Sequence, residues 1–353
     1  MLAFAAIPPA FAQTSVRVAT YNTELSRKGP GLLLRDIRSE TDEQVEAAAR
    51  VIAYSTPDVI LLQGVDYDHD LVTLRAFRDR IDAHGWYFAH VFAARPNSGL
   101  ATGVDLDGDG RLGAPRDAQG YGEFAGQGGM AIMSRYPIRS EALRDHSARL
   151  WHEMPDALLT QSDGTPVLTD AAMKVQRLST VGHWDVPVEI EGRSVRLLAF
   201  HASPPVFDGP EDRNGRRNHD EIVFWQHVMD GLYGPPPQSS FVVLGDANLD
   251  PIDGDGRKSA IHRLLDDSRL IDPEPRKPGP VAQGPGHVGD PALDTVAWPE
   301  PDPGSLRVSY VLPSADLRVL ESGIFDPPAD AGLKGLVSKA SRHRLVWVDL
   351  QIE

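Results

Sequence analysis

The chain has 353 residues, 41% of them hydrophobic, enough apolar material for one large two-sheet domain or two modest ones. Acids outnumber bases 50 to 35, for a net charge of −15. This weighs against duplex nucleic acid as a partner, because backbone phosphates are gripped by clustered Lys and Arg, and the absence of cysteine excludes disulfides, thiolate metal sites and a cysteine nucleophile.

Met1 to Phe11 is apolar and uncharged, and Ala10-Phe11-Ala12 has the small-x-small pattern of a signal-peptide cleavage site. Residues 1–13 read as the remnant of a signal peptide, and the protein as secreted or periplasmic in a bacterium. No later stretch reaches the ~20 apolar residues of a membrane span. Val16 to Tyr21 alternates like a half-buried strand. Asp42 to Tyr54 sets Val45, Ala48, Ala49 and Ile52 on one helical face, with acids in the first turn. Asp58 to Gln63 is a short buried strand, and Asp70 to His84 a second helix.

Residues 93–129 are rich in Gly, Asp and Pro and carry no period, the mark of a long functional or flexible insertion. Met130 to Ser134 is a strand, and 152–172 a further insertion. Three strands are predicted at 175–181, 186–190 and 194–200. Asn218 to Leu232 is a helix with Ile222, Trp225, Val228 and Met229 on one face. Phe241 to Leu244 is a core strand, and 273–305 a Pro/Gly-rich excursion. Strands at 308–312, 317–320 and 344–352 complete residues 14–353 as a single domain. Many strands with a few helices between them imply two packed β-sheets.

Polar motifs close several of these strands: Thr20-Tyr21-Asn22, Leu61-Leu62-Gln63-Gly64-Val65-Asp66, Gly128-Gly129-Met130-Ala131-Ile132-Met133-Ser134-Arg135, Phe200-His201, Gly245-Asp246-Ala247-Asn248 and Ser341-Arg342-His343. Asp246 and Asn248, at i and i+2 of an extended segment, point the same way. A carboxylate there orients a nucleophile or a cation, and a neutral amide hydrogen-bonds a phosphate oxygen. His343 precedes the last strand, and imidazole suits proton transfer near neutral pH. Arg213, Arg216 and Arg217 stand in a loop shortly after His201, where guanidinium forks fit phosphate oxygens. Asp105, Asp107 and Asp109 alternate as in a Ca²⁺ loop, but Arg116 stands where an EF-hand needs Glu, which leaves a loop-stabilising Ca²⁺ as the reading.

The order and content of the motifs resemble the endonuclease/exonuclease/phosphatase family of metal-assisted phosphoesterases, over nearly the whole chain. The resemblance implies a four-layer α/β/β/α sandwich of two packed mixed β-sheets with the site at one edge. It implies catalysis by His343, phosphate contact by His201, and positioning by Asn22 of a catalytic Asp246 or a metal-bound oxygen. It also implies a divalent cation, Mg²⁺ or Mn²⁺, and a small phosphorylated substrate, either a monoester or a diester and small or lipid-like.

Three positions depart from the family pattern. Gly64 stands where the family has its principal metal-binding Glu, Ser309 where an Asp orients the histidine, and Arg342 where an Asp helps bind metal. Asp66, two residues beyond Gly64, is the expected replacement ligand, with Asp68 and Asp246 completing the metal set. Ser309 is expected to accept a hydrogen bond from His343, and Arg342 to supply fixed positive charge near the phosphate. Two other readings stay open: a non-catalytic relative that binds a phosphorylated ligand, and a Ca²⁺-dependent extracellular binding protein.

Overall fold

The computed structural model describes residues 14–238, 240–327 and 333–352, so the reading of residues 1–13 as a signal-peptide remnant lies outside the described residues. In chain order the strands are β1 (Thr14–Asn22), β2 (Val59–Val65), β3 (His90–Phe92), β4 (Gly129–Ser134), β5 (Arg144–Asp145), β6 (Gly182–Ile190), β7 (Arg193–His201), β8 (Phe241–Asp246), β9 (Val296–Ala297), β10 (Ser305–Leu306), β11 (Ser309–Pro313), β12 (Arg318–Ile324) and β13 (Val346–Ile352). The α-helices are α1 (Leu32–Ser39), α2 (Glu43–Ser55), α3 (Val72–Asp82), α4 (Asp170–Met173), α5 (Arg213–Met229), α6 (Ser259–Leu265) and α7 (Lys334–Ala340). None of the described helices is long and apolar enough to cross a membrane.

The strands form one sheet in the order β12-β13-β1-β2-β4-β3 and a second in the order β11-β8-β7-β6-β5, with β9 and β10 paired separately. Both large sheets are mixed: β1·β2 and β7·β8 run parallel, the other pairs antiparallel. Strand alternation divides the apolar residues between two faces. Val16, Val18 and Leu61 of the first sheet meet Val186, Leu197, Val242 and Leu244 of the second in a shared core. The opposite face of the first sheet, with Ala19, Tyr21 and Leu62, takes α1, α2, α3 and α7, whereas that of the second, with Leu198, Phe200 and Val243, takes α5 and α6. The result is the expected α/β/β/α sandwich.

Two local differences from the sequence reading have a shared cause. Residues 175–181 are not a strand, and the helix predicted from Asn218 begins at Arg213. The buried Arg217 guanidinium, in the first turns of α5, donates to the carbonyl oxygens of Leu178 (2.8 Å), Gln119 (2.6 Å), Arg177 (2.8 Å) and Ser179 (3.1 Å). Carbonyls satisfied by a guanidinium have no need of a sheet ladder. The same contacts tie the 93–129 insertion to the second sheet's helical layer.

Candidate active site

Parallel pairing of β7 with β8 makes His201 and Asp246 register partners at the ends of their strands. Gly245 allows the approach, because a Cβ there would lie 2.0 Å from the Phe200 carbonyl oxygen. Across the sandwich, β1 ends on Asn22, whose Nδ2 donates to Asp246 Oδ2 at 2.8 Å. His343 Nδ1 lies 3.5 Å from that oxygen and His201 Nε2 3.9 Å. The other carboxylate oxygen, Oδ1, accepts the Asn248 backbone N–H at 3.0 Å. Asp246 is fully buried at the centre, so all five residues predicted to be catalytic share one cluster.

Burial depresses the basicity of both imidazoles, opposed for each by the Asp246 charge and for His343 also by Glu24. Each is therefore neutral at neutral pH and carries a single ring N–H. His343 Nδ1 and Ser309 Oγ are buried without a hydrogen-bond partner, so the bond expected between them is absent. Asn248, at φ +50°, donates Nδ2 to the Ala202 carbonyl at 2.9 Å and braces the turn after β8 against the end of β7.

The four arginines separate by function. Arg217 spends its donors on the carbonyls named above, and Arg216 binds the carbonyls of Glu211 and Thr160. Arg213 donates to Leu106 O at 3.0 Å and lines a cavity of about 640 Å³ that also borders His201, Tyr121 and Phe207. Arg216 lies outside the cavity lining, whereas Arg217 also borders the cavity that Arg213 lines. The exposed Arg342 is paired: its backbone N–H reaches Glu24 Oε2 at 2.8 Å, and its Nε (2.9 Å) and Nη2 reach Glu24 Oε1.

The predicted metal set does not converge. Asp66 accepts the backbone N–H groups of Arg27 and Gly128, both at 3.0 Å, and thereby joins two loops. Asp68 accepts those of Val72 and Thr73, both at 2.8 Å, and caps α3. Among the described residues, the acidic or histidine trio whose ligand atoms gather within 4.8 Å is Asp105, Asp107 and Asp109. Asp105 there already accepts N–H groups from Gly108 and Gly110, so the loop closes on its own hydrogen bonds.

The backbone explains why the sequence lacks a carboxylate at position 64. Gly64 sits at a bulge in β2 with φ +72°, and a Cβ would lie 2.8 Å from Asn22 Oδ1 and 2.9 Å from the Glu24 nitrogen. A glutamate side chain would collide there at its first carbon. With position 64 closed and Glu24 bound to a guanidinium, the residues present do not fit the cation site that the family resemblance implies.

Several contributors were not anticipated from the sequence. Glu24 lies two residues beyond Asn22, a spacing that gave a usable signal. Trp298 packs edge-on to His343, ring centres 5.6 Å apart, and Val296 bridges to His343; their position inside a Pro/Gly-rich excursion hid them. Glu221, fully buried on α5, accepts the N–H groups of Thr180 (2.5 Å) and Ser203 (2.7 Å) and so fixes two residues of the cavity wall.

The Endonuclease/Exonuclease/phosphatase family profile matches residues 19–343. No curated protein sequence matches the chain. Among solved structures, an endonuclease/exonuclease/phosphatase from Beutenbergia cavernae is similar with TM-score 0.55 and 19% identity, over 96% of this chain and 72% of that one. A family protein from Leptotrichia buccalis has TM-score 0.51 and 17% identity, over 96% and 100%. A mannosyl-6-phosphatase from Bacteroides thetaiotaomicron has TM-score 0.50 and 14% identity, over 96% and 100%. Enzymes of this family are phosphoester hydrolases and generally depend on divalent cations. With the family profile spanning most of its length and the four-layer fold beneath it, this chain belongs to the endonuclease/exonuclease/phosphatase family and is a phosphoester hydrolase.

Proposed function

We propose that the chain hydrolyses a small organic phosphoester by in-line attack of water on phosphorus. The observation that carries this reading is the buried Asp246 carboxylate, with Oδ2 facing Asn22, His201 and His343. Asp246 orients the water and takes its proton as the new P–O bond forms and the opposite P–O bond to the alcohol breaks, the departing alkoxide taking a proton from solvent. Asn22 holds the carboxylate in place. Neutral His343 and the second amide hydrogen of Asn248 donate to the phosphoryl oxygens as charge develops, and His201 holds the phosphate at the cavity mouth.

The cavity beside His201 supports a small substrate, since its volume is that of an ordinary small-molecule site. Tyr121 and Phe207 suit an apolar or ring-bearing alcohol portion, and Arg213 and Arg217 line the same space. The net charge of −15 adds support for a small ester over duplex nucleic acid. The apolar N-terminal stretch supports export, which the mass of the mature N-terminus after expression in a bacterium would check.

Hydrolysis of 4-nitrophenyl phosphate and bis(4-nitrophenyl) phosphate tests the reading and separates monoesterase from diesterase. Turnover of one ester that His343→Ala abolishes is expected. Binding of a phosphorylated ligand without turnover would instead identify a non-catalytic relative.

A further inference from the structure

Glu24 and Arg342 sit beside the catalytic cluster and belong to the segments that carry Asn22 and His343. Ser341 Oγ joins them, donating to Asn22 O at 2.8 Å and lying 3.1 Å from Glu24 Oε2, while accepting the His343 N–H at 3.0 Å. The Glu24 N–H in turn reaches Asn22 Oδ1 at 3.2 Å. The ion pair is thus linked by hydrogen bonds to both the asparagine and the histidine that flank Asp246.

We infer that the Glu24–Arg342 pair takes the place of a divalent cation, and that phosphoester hydrolysis by this chain proceeds without one. The inference rests on the phosphoesterase reading above and describes the electrostatics of the same site.

Three observations support it. Both oxygens of Glu24 are engaged, Oε2 by the Arg342 backbone N–H and Oε1 by the guanidinium. Mg²⁺ demands hard oxygen ligands in a near-ideal octahedron, and would have to displace a charge-assisted fork to reach this one. Burial pulls Glu24 upward, but its bonds to Arg342 outweigh that and hold it below the usual carboxylate range, so the pair is ionised. Second, the bulge at Gly64 closes the neighbouring position to any side chain. Third, Asp66 and Asp68 are committed to backbone N–H groups.

A guanidinium stays charged throughout the physiological range. The Arg342 side chain is 59% exposed against 21% for Glu24, so its outer edge is open to an incoming anion. Its single positive charge offsets one of the fixed carboxylates, Glu24, without a ligand that must be recruited from solution.

The test has a binding arm and a kinetic arm. Mn²⁺ binding is followed by electron paramagnetic resonance in the full chain carrying Asp105→Asn, Asp107→Asn and Asp109→Asn, which silences the exposed acidic trio. Hydrolysis of the two nitrophenyl esters is measured with and without EDTA. The expected results are no Mn²⁺ bound up to roughly millimolar concentration and less than about a twofold change in kcat/KM with EDTA. Arg342→Gln is expected to lower kcat/KM by about tenfold or more and to create Mn²⁺ affinity by freeing Glu24. Stoichiometric Mn²⁺ binding that Glu24→Gln abolishes would overturn the inference. So would a loss of more than about tenfold in EDTA that Mg²⁺ restores, or unchanged kinetics in Arg342→Gln. If neither ester is hydrolysed under any condition, the functional reading fails, and the resonance arm still decides the cation question.

Discussion

At the ends of β7 and β8, His201 and Asp246 are neighbours by strand register, with Gly245 admitting the close approach. At the ends of β1 and β2, the chain turns left-handed at Glu24 and at Gly64, and an ion pair fills the space. The second sheet thus contributes His201 and Asp246, while the edge of the first, which supplies Asn22 and leads on from His343, also holds a carboxylate–guanidinium pair. The reacting centre takes its spacing from strand register. Charge compensation at its edge depends only on a cation of some kind, and a side chain can supply that.

The largest effect is expected in the half set by strand register. Asp246→Asn, nearly isosteric, should lower kcat/KM by about 10³ or more with little change in thermal midpoint, because a neutral amide cannot take the water's proton. Retained turnover would remove Asp246 from the chemistry and dissolve the contrast between the sheets. Next, Gly64→Ala should cost about 2–4 kcal/mol in urea unfolding, through the positive φ and the crowding against Asn22. A neutral outcome would mean that the edge of the first sheet tolerates a side chain after all.

Helix capping and loop bridging provide a smaller test. Asp66→Ala should cost about 1–2 kcal/mol in urea unfolding through the lost bonds to the Arg27 and Gly128 backbone; an unchanged midpoint would mean that the two loops hold without it. Asp68→Ala should destabilise by about 1 kcal/mol through the lost α3 cap.

The pH dependence follows from burial. His201 and His343 are held below the ordinary histidine value of about 6.5, so the acid limb of kcat/KM should fall below that pH. Stability responds with the same sign. His146 is lowered to about 4 and His183 to about 3, in each case chiefly by burial. Below pH 6.5 the unfolded chain binds protons that the folded chain refuses. Their contribution is present in full above that pH and is lost as pH falls toward 4 and then 3. Urea midpoints at pH 7 and pH 5 should show the decline, and His183→Gln should flatten it.

Much of this was legible in the sequence. Strand-ending motifs located Asn22, His201, Asp246, Asn248 and His343, because a polar residue closing a buried apolar run faces either solvent or a shared site at the sheet edge. Arg216 misled, since three arginines in five residues suggest an anion site until the carbonyls it satisfies are seen. Residues 175–181 misled for the same reason: the carbonyls of Arg177, Leu178 and Ser179 take the Arg217 side chain, and Gln176 and Leu178 bond the backbone of Trp151 and Arg149. Asp66 looked like a displaced ligand because alternation along β2 was extended through Gly64, where the bulge resets it. Long-range pairing of this kind leaves no local trace.

The pairing of His201 with Asp246 across a parallel ladder has a practical corollary. Their spacing belongs to the sheet, not to the loops above it. Exchanging the Tyr121 or Phe207 segments for others of similar length should redirect which alcohol is released while leaving bond cleavage intact, making this scaffold a promising host for engineered selectivity.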